Sequence, residues 1–97
     1  MVLLRLPEGH DAHELAAVMA GLSALRERVE GFQGFEHGPN RDVEGKLPDH
    51  PYGFLATFED AEALADYADH PDHRALGARL VALCGGAEGI LVADFDV

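Results

Sequence analysis

The chain reads as an α+β domain with a ferredoxin-like βαββαβ order and an antiparallel sheet. Three observations carry that expectation. Hydrophobic periodicity runs strand, helix, strand, strand, helix pair, strand, the split βαβ pattern. The helical segments open on capping residues and close at glycine or at a proline junction. The strands are apolar on both faces, which asks for cover on both sides of one sheet. The length of 97 residues suits a single domain over positions 1–97.

The first strand is "VLLRL", residues 2–6, closed by "PEG". Asp11 then stands as a helix N-cap with Glu14 three residues on, a capping-box pattern. Leu15, Val18, Met19, Leu22, Leu25 and Val29 recur at helical spacing, and Gly31 stops that helix. "FQGFEHG", residues 32–38, reads as the second strand, and "PNRDVEGKLPDHP" as a turn-rich connection. "YGFLATF", residues 52–58, is the third strand, with Tyr52, Phe54, Ala56 and Phe58 on one face. Asp60 caps a short helix through "AEALADYA". Pro71 takes His70 out of helical geometry and suits the first turn of a new helix, "HRALGARLVAL", which fails at Gly85-Gly86. "GILVADFDV" is the last strand.

The sheet pattern sets Val2, Leu4 and Leu6 against Leu3, Phe54 and Phe58 against Leu55, and Ile90 and Val92 against Leu91, Ala93 and Phe95. Two helical segments cover one side only. A second copy of the sheet is the simplest cover for the other, so the pattern predicts a homodimer through sheet faces.

Charge narrows the partners. A formal net charge of -11 repels phosphate backbones and anionic lipid, against nucleic acid and membrane as partners. The chain has one cysteine, so no internal disulfide forms within it; Cys84 reads as a small buried hydrophobe. No segment reaches membrane-spanning length and the opening lacks a signal-peptide pattern, so the expected location is cytoplasmic.

No P-loop, dinucleotide fingerprint, nucleophile elbow or zinc-type cysteine cluster is present. The pairs His10/His13 and His70/His73 have chelating spacing. Yet His10 lies among polar residues, and His70 sits at a helix break with His73 beyond it, so no metal site is expected. "DYADHPDHRAL", residues 66–76, holds the candidate chemistry. His73 shares a helical face with Leu76, Leu80 and Leu83, expected to point at the sheet, and Tyr67 follows Leu64 by three, so both turn inward. Asp66, Asp69, Asp72 and Arg74 fall on the solvated side. Two inward polar groups fit either a structural pair or a base and an orienting hydroxyl in a pocket.

"GFLATFEDAEALADYADHPDHRAL" with "ILVADFDV" resembles the Dabb family, the stress-responsive dimeric α/β-barrel domains, and the resemblance extends over nearly the whole chain. It implies two ferredoxin-like sheets closing a dimeric barrel. It also implies, by similarity to the plant polyketide cyclases of the olivetolic acid type, catalysis without metal or organic cofactor. His73 would then be the general base and Tyr67 the substrate-holding hydroxyl. Val2, Leu4, Val18, Met19, Leu22, Tyr52, Phe54, Leu76 and Val92 would line a pocket for a small apolar or aromatic ligand. Three functions stay open: a cofactor-independent cyclase or lyase on a polyketide-like or phenolic substrate, a non-catalytic stress-responsive or small-ligand-binding dimer, and a cofactor-free monooxygenase.

Overall fold

The computed structural model describes residues 1–97. The elements follow the expected order: β1 (Val2–Leu4), α1 (Ala12–Ala24), β2 (Phe32–Pro39), β3 (Tyr52–Phe58), α2 (Ala61–Asp69), α3 (Pro71–Leu83) and β4 (Ile90–Val92). The sheet is antiparallel with strand order β2-β3-β1-β4, the ferredoxin-like arrangement. No helix is long and apolar enough to cross a membrane.

Capping follows the sequence closely. The Asp11 carboxylate accepts from the backbone N–H of His13 and Glu14, and Asp60 accepts from Ala63. Pro71 opens α3. Glu14 does not complete a capping box. Its carboxylate instead takes two hydrogen bonds from Arg79 of α3, at 2.6 and 3.0 Å, tying α1 to α3. The Arg79 hydrogen bonds hold the Glu14 carboxyl below its ordinary pKa against a smaller opposing desolvation.

Three boundaries are shorter than the apolar runs suggest. β1 ends at Leu4, which pairs with Tyr52, the first residue of β3; Pro51 lies just before it, and Leu6 has no ladder partner. β4 ends at Val92; Ala93 still donates to the Met1 carbonyl, but residues 94–97 lie past the ladder with β1. The first helix tightens after Ala24 into a 3₁₀ turn, Leu25–Glu27. Gly31, at φ +85, then swings the chain into β2; a Cβ there would also meet the Ala63 side chain at 2.7 Å.

Pairing parity places Val2, Leu4, Tyr52, Phe54, Ala56, Phe35, His37, Ile90 and Val92 on the helix-facing side. A register shift between Phe32 and Gly34 brings Phe32 opposite Phe58 and lets Phe32 and Phe35 serve the same side. Leu4, Leu15, Val18, Met19, Leu22, Leu25, Phe32 and Phe54 pack into one core between sheet and helices. The apolar face of α3 joins the core shared with the strands, with Leu80 buried in it and Leu76 and Leu83 packed against it, and it also meets α1: a Cβ at Gly21 would come within 2.8 Å of Leu76. On the opposite side of the sheet, Leu55 and Leu91 are each 43% exposed.

Candidate functional site

The break between α2 and α3 is built from three residues. His70 adopts φ -63 and ψ 133, extended geometry enforced by the following proline. Its Nδ1 accepts from the Asp72 N–H at 3.0 Å, so the imidazole is the N-cap of α3. That occupies one nitrogen of His70 with a structural task. The kink then folds α3 back, and the ring of His73 comes to rest on the ring of Tyr67, centroids 4.3 Å apart.

Tyr67 is 6% exposed. Its ring meets Phe32 edge-on and Phe58 at a tilt, each at 5.0 Å, while Phe32 and Phe58 stack at 4.8 Å. The hydroxyl is shut off from solvent and has no hydrogen-bond partner. Burial pushes its pKa up to about 12, so the group stays a neutral O–H donor.

His73 is half-buried. Its Nδ1 lies 3.2 Å from the Ala68 carbonyl. A carbonyl only accepts, so Nδ1 carries the proton in that contact, and Nε2 keeps its lone pair. Desolvation lowers the His73 pKa; the Ala68 carbonyl opposes this, and the neighbouring His70 adds to it. The junction therefore supplies a neutral imidazole with a free basic nitrogen beside a sealed, unsatisfied phenol. Asp66, Asp69 and Arg74 are exposed, and Asp72 pairs with Arg28 at 2.8 Å across the outside.

The residues expected to line a pocket divide. Leu4, Val18, Met19 and Leu22 are almost fully buried, and Phe54 is 8% exposed; they fill the layer between α1 and the sheet. Leu76 is half-buried, packed against the edge of that core and against Gly21 of α1. Val92, on the edge strand β4, is 62% exposed. Tyr52 is half-buried at the start of β3, six residues from Phe58, or about 20 Å along the strand. An open groove of about 300 Å³ runs between α1 and α3 over Gly21, Ala24 and Leu76, with the Arg28–Asp72 pair at its rim; neither Tyr67 nor His73 lines it.

Sequence reasoning passed over His37. Its Nδ1 is 2.6 Å from the Tyr52 hydroxyl. The parity of "FEHG" already set His37 on the face of Phe35, but only the β2–β3 register brings it to Tyr52. No three His, Cys, Asp or Glu side chains converge as metal ligands. Each remaining histidine of the two spaced pairs is engaged locally or solvated, with His10 Nδ1 at 3.2 Å from the Pro7 carbonyl. Cys84 is buried, as its apolar setting suggested, and burial raises its thiol pKa.

The sequence pattern of the Stress responsive A/B Barrel Domain, Dabb, matches residues 1–97. A curated relative, the stress-response A/B barrel domain-containing protein HS1 of Arabidopsis thaliana, is 24% identical over 95 residues, 98% of this chain and 84% of that protein. The crystal structure of a dimeric ferredoxin-like protein of unknown function from Jannaschia sp. CCS1 superposes with a TM-score of 0.90 at 49% identity, covering 99% of this chain and 94% of the other. The hydroxynitrile lyase from Passiflora edulis shares the fold, with a TM-score of 0.79 at 14% identity, over 97% of this chain and 86% of its own.

Proposed function

The chain belongs to the stress-responsive A/B barrel family, Dabb, and on that premise we propose that it is a small-molecule lyase or cyclase working by proton transfer to and from a single imidazole. The observation that carries the reading is the His73–Ala68 contact, which leaves Nε2 its lone pair on a ring packed against Tyr67, whose hydroxyl has no partner. A base and a neutral donor in one apolar setting suit carbon–carbon bond chemistry next to a carbonyl.

In the cleavage direction, Nε2 takes the hydroxyl proton of an α-hydroxy substrate. The carbon–carbon bond breaks, its electron pair leaves with the departing carbanion, and the imidazolium returns the proton to that group. In the cyclisation direction, Nε2 takes a methylene proton and the carbanion attacks a carbonyl carbon of the same molecule. The resulting alkoxide recovers the proton. Tyr67 donates to the substrate oxygen in both. Neither direction needs an oxidant, which sets this reading ahead of a monooxygenase. The hydroxynitrile lyase of the same fold performs a cleavage of the first kind.

A second reading, a non-catalytic small-ligand-binding dimer, is favoured by the closed packing of Leu4, Val18, Met19 and Leu22. One experiment separates the two. Purified protein is incubated with an aromatic cyanohydrin and, in parallel, with a linear aromatic polyketide thioester, and release of aldehyde or ring closure is followed. Turnover that falls at least a hundredfold in His73→Ala, with the protein still folded, supports the lyase or cyclase. Absence of turnover on both substrates, or turnover indifferent to His73→Ala, overturns it.

The same premise extends to assembly. The chain acts as a homodimer in which Leu3, Leu55 and Leu91 cover their counterparts across a two-fold axis. The Jannaschia protein, a dimer by description, supports this at 49% identity. Sedimentation of the wild type as a dimer and of Leu91→Arg as a monomer is the expected result; a wild-type monomer at micromolar concentration sinks the proposal.

A further inference from the structure

His70 stands three residues after Tyr67 and three before His73, and it is bonded to the turn of each. Its backbone N–H donates to the Tyr67 carbonyl at 3.2 Å, closing α2. Its Nδ1 accepts from the Asp72 N–H at 3.0 Å, opening α3, and its carbonyl accepts from the Arg74 N–H at 3.1 Å. The helix that carries the phenol and the helix that carries the imidazole therefore meet in one residue. Pro71 already imposes the extended backbone at this position, whatever the side chain. What the ring adds is an acceptor for an N–H that the first turn of α3 cannot satisfy by itself.

The choice of residue is unusual within this chain. Aspartate caps both α1 and α2, through Asp11 and Asp60. An aspartate at position 70 would cap α3 as well as those do, but its carboxylate would act on His73, which lies within electrostatic reach of that position. A negative charge there favours the imidazolium over the free base. The imidazole avoids this. A ring whose Nδ1 accepts has its proton on Nε2 and is neutral. The other charges of the junction are paired: Asp69 with Arg74 of α3 at 3.5 Å, and Asp72 with Arg28, which follows the 3₁₀ turn, at 2.8 Å. From the sheet, the phenyl rings of Phe32 and Phe58 reach Tyr67 and bring no charge.

We propose that His70 is a positioning residue for His73, a neutral cap that sets the first turn of α3 and holds the His73 ring on Tyr67 in its basic form. The inference rests on the reading of His73 as the general base, and adds to it the requirement that the cap carry no charge.

Three substitutions in the full chain test it, each followed by NMR of the His73 ring and by turnover of the cyanohydrin and the thioester. His70→Ala removes the acceptor and keeps the backbone that the proline imposes. The ring-current shift that Tyr67 exerts on His73 across 4.3 Å should then collapse, and turnover should fall about tenfold or more. His70→Asn supplies a neutral acceptor of similar reach and should restore both. His70→Asp should restore the ring-current shift, yet raise the pH at which His73 titrates by about half a pH unit or more and carry the acid limb of turnover up with it. These last two are strong caps, and their comparison decides the matter if His70→Ala unfolds. The proposal is overturned if His70→Ala leaves the His73 resonances unchanged, if His70→Asn fails to restore them, or if His73 titrates at the wild-type pH in His70→Asp. Those readings need no substrate, so they stand apart from a failure of the lyase or cyclase reading, which shows as absent turnover in the wild type itself.

Discussion

Tyr67 with His73 and Tyr52 with His37 are the same two residue types brought together in opposite circumstances. Tyr67 and His73 touch through their rings at 4.3 Å, and the phenol oxygen has no partner. Tyr52 and His37 stand with ring centroids 6.0 Å apart but share a hydrogen bond of 2.6 Å. In the first pair the phenol lost water without gaining a hydrogen bond; in the second the two side chains share one at the surface. The contrast teaches that burial, not residue identity, decides what such a pair costs and what it offers. A buried hydroxyl with no partner costs about 1–3 kcal/mol in folding, and the same donor becomes available to a substrate that can use it.

Truncation should open the widest gap between the pairs. Tyr67→Ala removes a ring wedged among Phe32, Phe58 and His73 and is expected to cost about 3–5 kcal/mol in urea unfolding. Tyr52→Ala, at an uncovered corner, should cost less than about 2 kcal/mol. Equal losses would mean that the corner is as well packed as the junction.

Removing only the hydroxyl sharpens the comparison and reverses its sign. Tyr67→Phe deletes an unsatisfied buried group and should stabilise the fold by about 1 kcal/mol, while abolishing the donor that the proposed chemistry needs. Tyr52→Phe breaks an exposed hydrogen bond and should lower stability by about 0.5 kcal/mol or less. A destabilised Tyr67→Phe would reveal a partner for its hydroxyl in the assembled protein.

Titration provides a further separation. One tyrosine should hold its proton until about pH 12 in ultraviolet absorbance, and Tyr67→Phe should remove that late step. Because the folded value lies above the ordinary value of 10, the contribution of Tyr67 to stability is intact below pH 10 and is lost as pH rises towards 12. His73 shifts the other way. Its ring should titrate below the ordinary 6.5 in NMR, so its contribution is present above that value and fades as pH falls through the folded pKa. The acid limb of any His73-dependent turnover should follow the same displaced value. A His73 that titrates normally would indicate a ring more hydrated than its contacts imply.

Much of this was written in the sequence because local chemistry dictated it. Asp11 and Asp60 cap where a short acceptor precedes a helical stripe, and Pro71 breaks the helix wherever it occurs. The inward turn of Tyr67 followed from a three-residue offset. Other features depended on partners that periodicity does not name. The stripe on α3 was apolar as expected and joins the core with the strands, but its close approach to α1 depended on Gly21, whose missing side chain admits Leu76. The closing strand looked long because Ala93 and Phe95 continue its apolar pattern, but a ladder ends where its neighbour ends. His37 met Tyr52 only through strand register, and the cap formed by His70 needed the backbone angle that Pro71 imposes.

The register shift in β2 has a consequence for the reading frame of that strand. Without it, Phe32 and Phe35, an odd number of positions apart, would face opposite sides. The extra residue puts them in phase, and the aromatic rings then run unbroken from His73 through Tyr67, Phe32 and Phe35 to His37. A deletion of Gln33 alone would remove the extra residue and leave Phe32 and Phe35 two positions apart on a regular ladder, so the row stays in phase without the shift. A single insertion or deletion where β2 pairs one-to-one with β3, between Gly34 and Pro39, would instead turn the residues beyond it to the opposite face of the sheet.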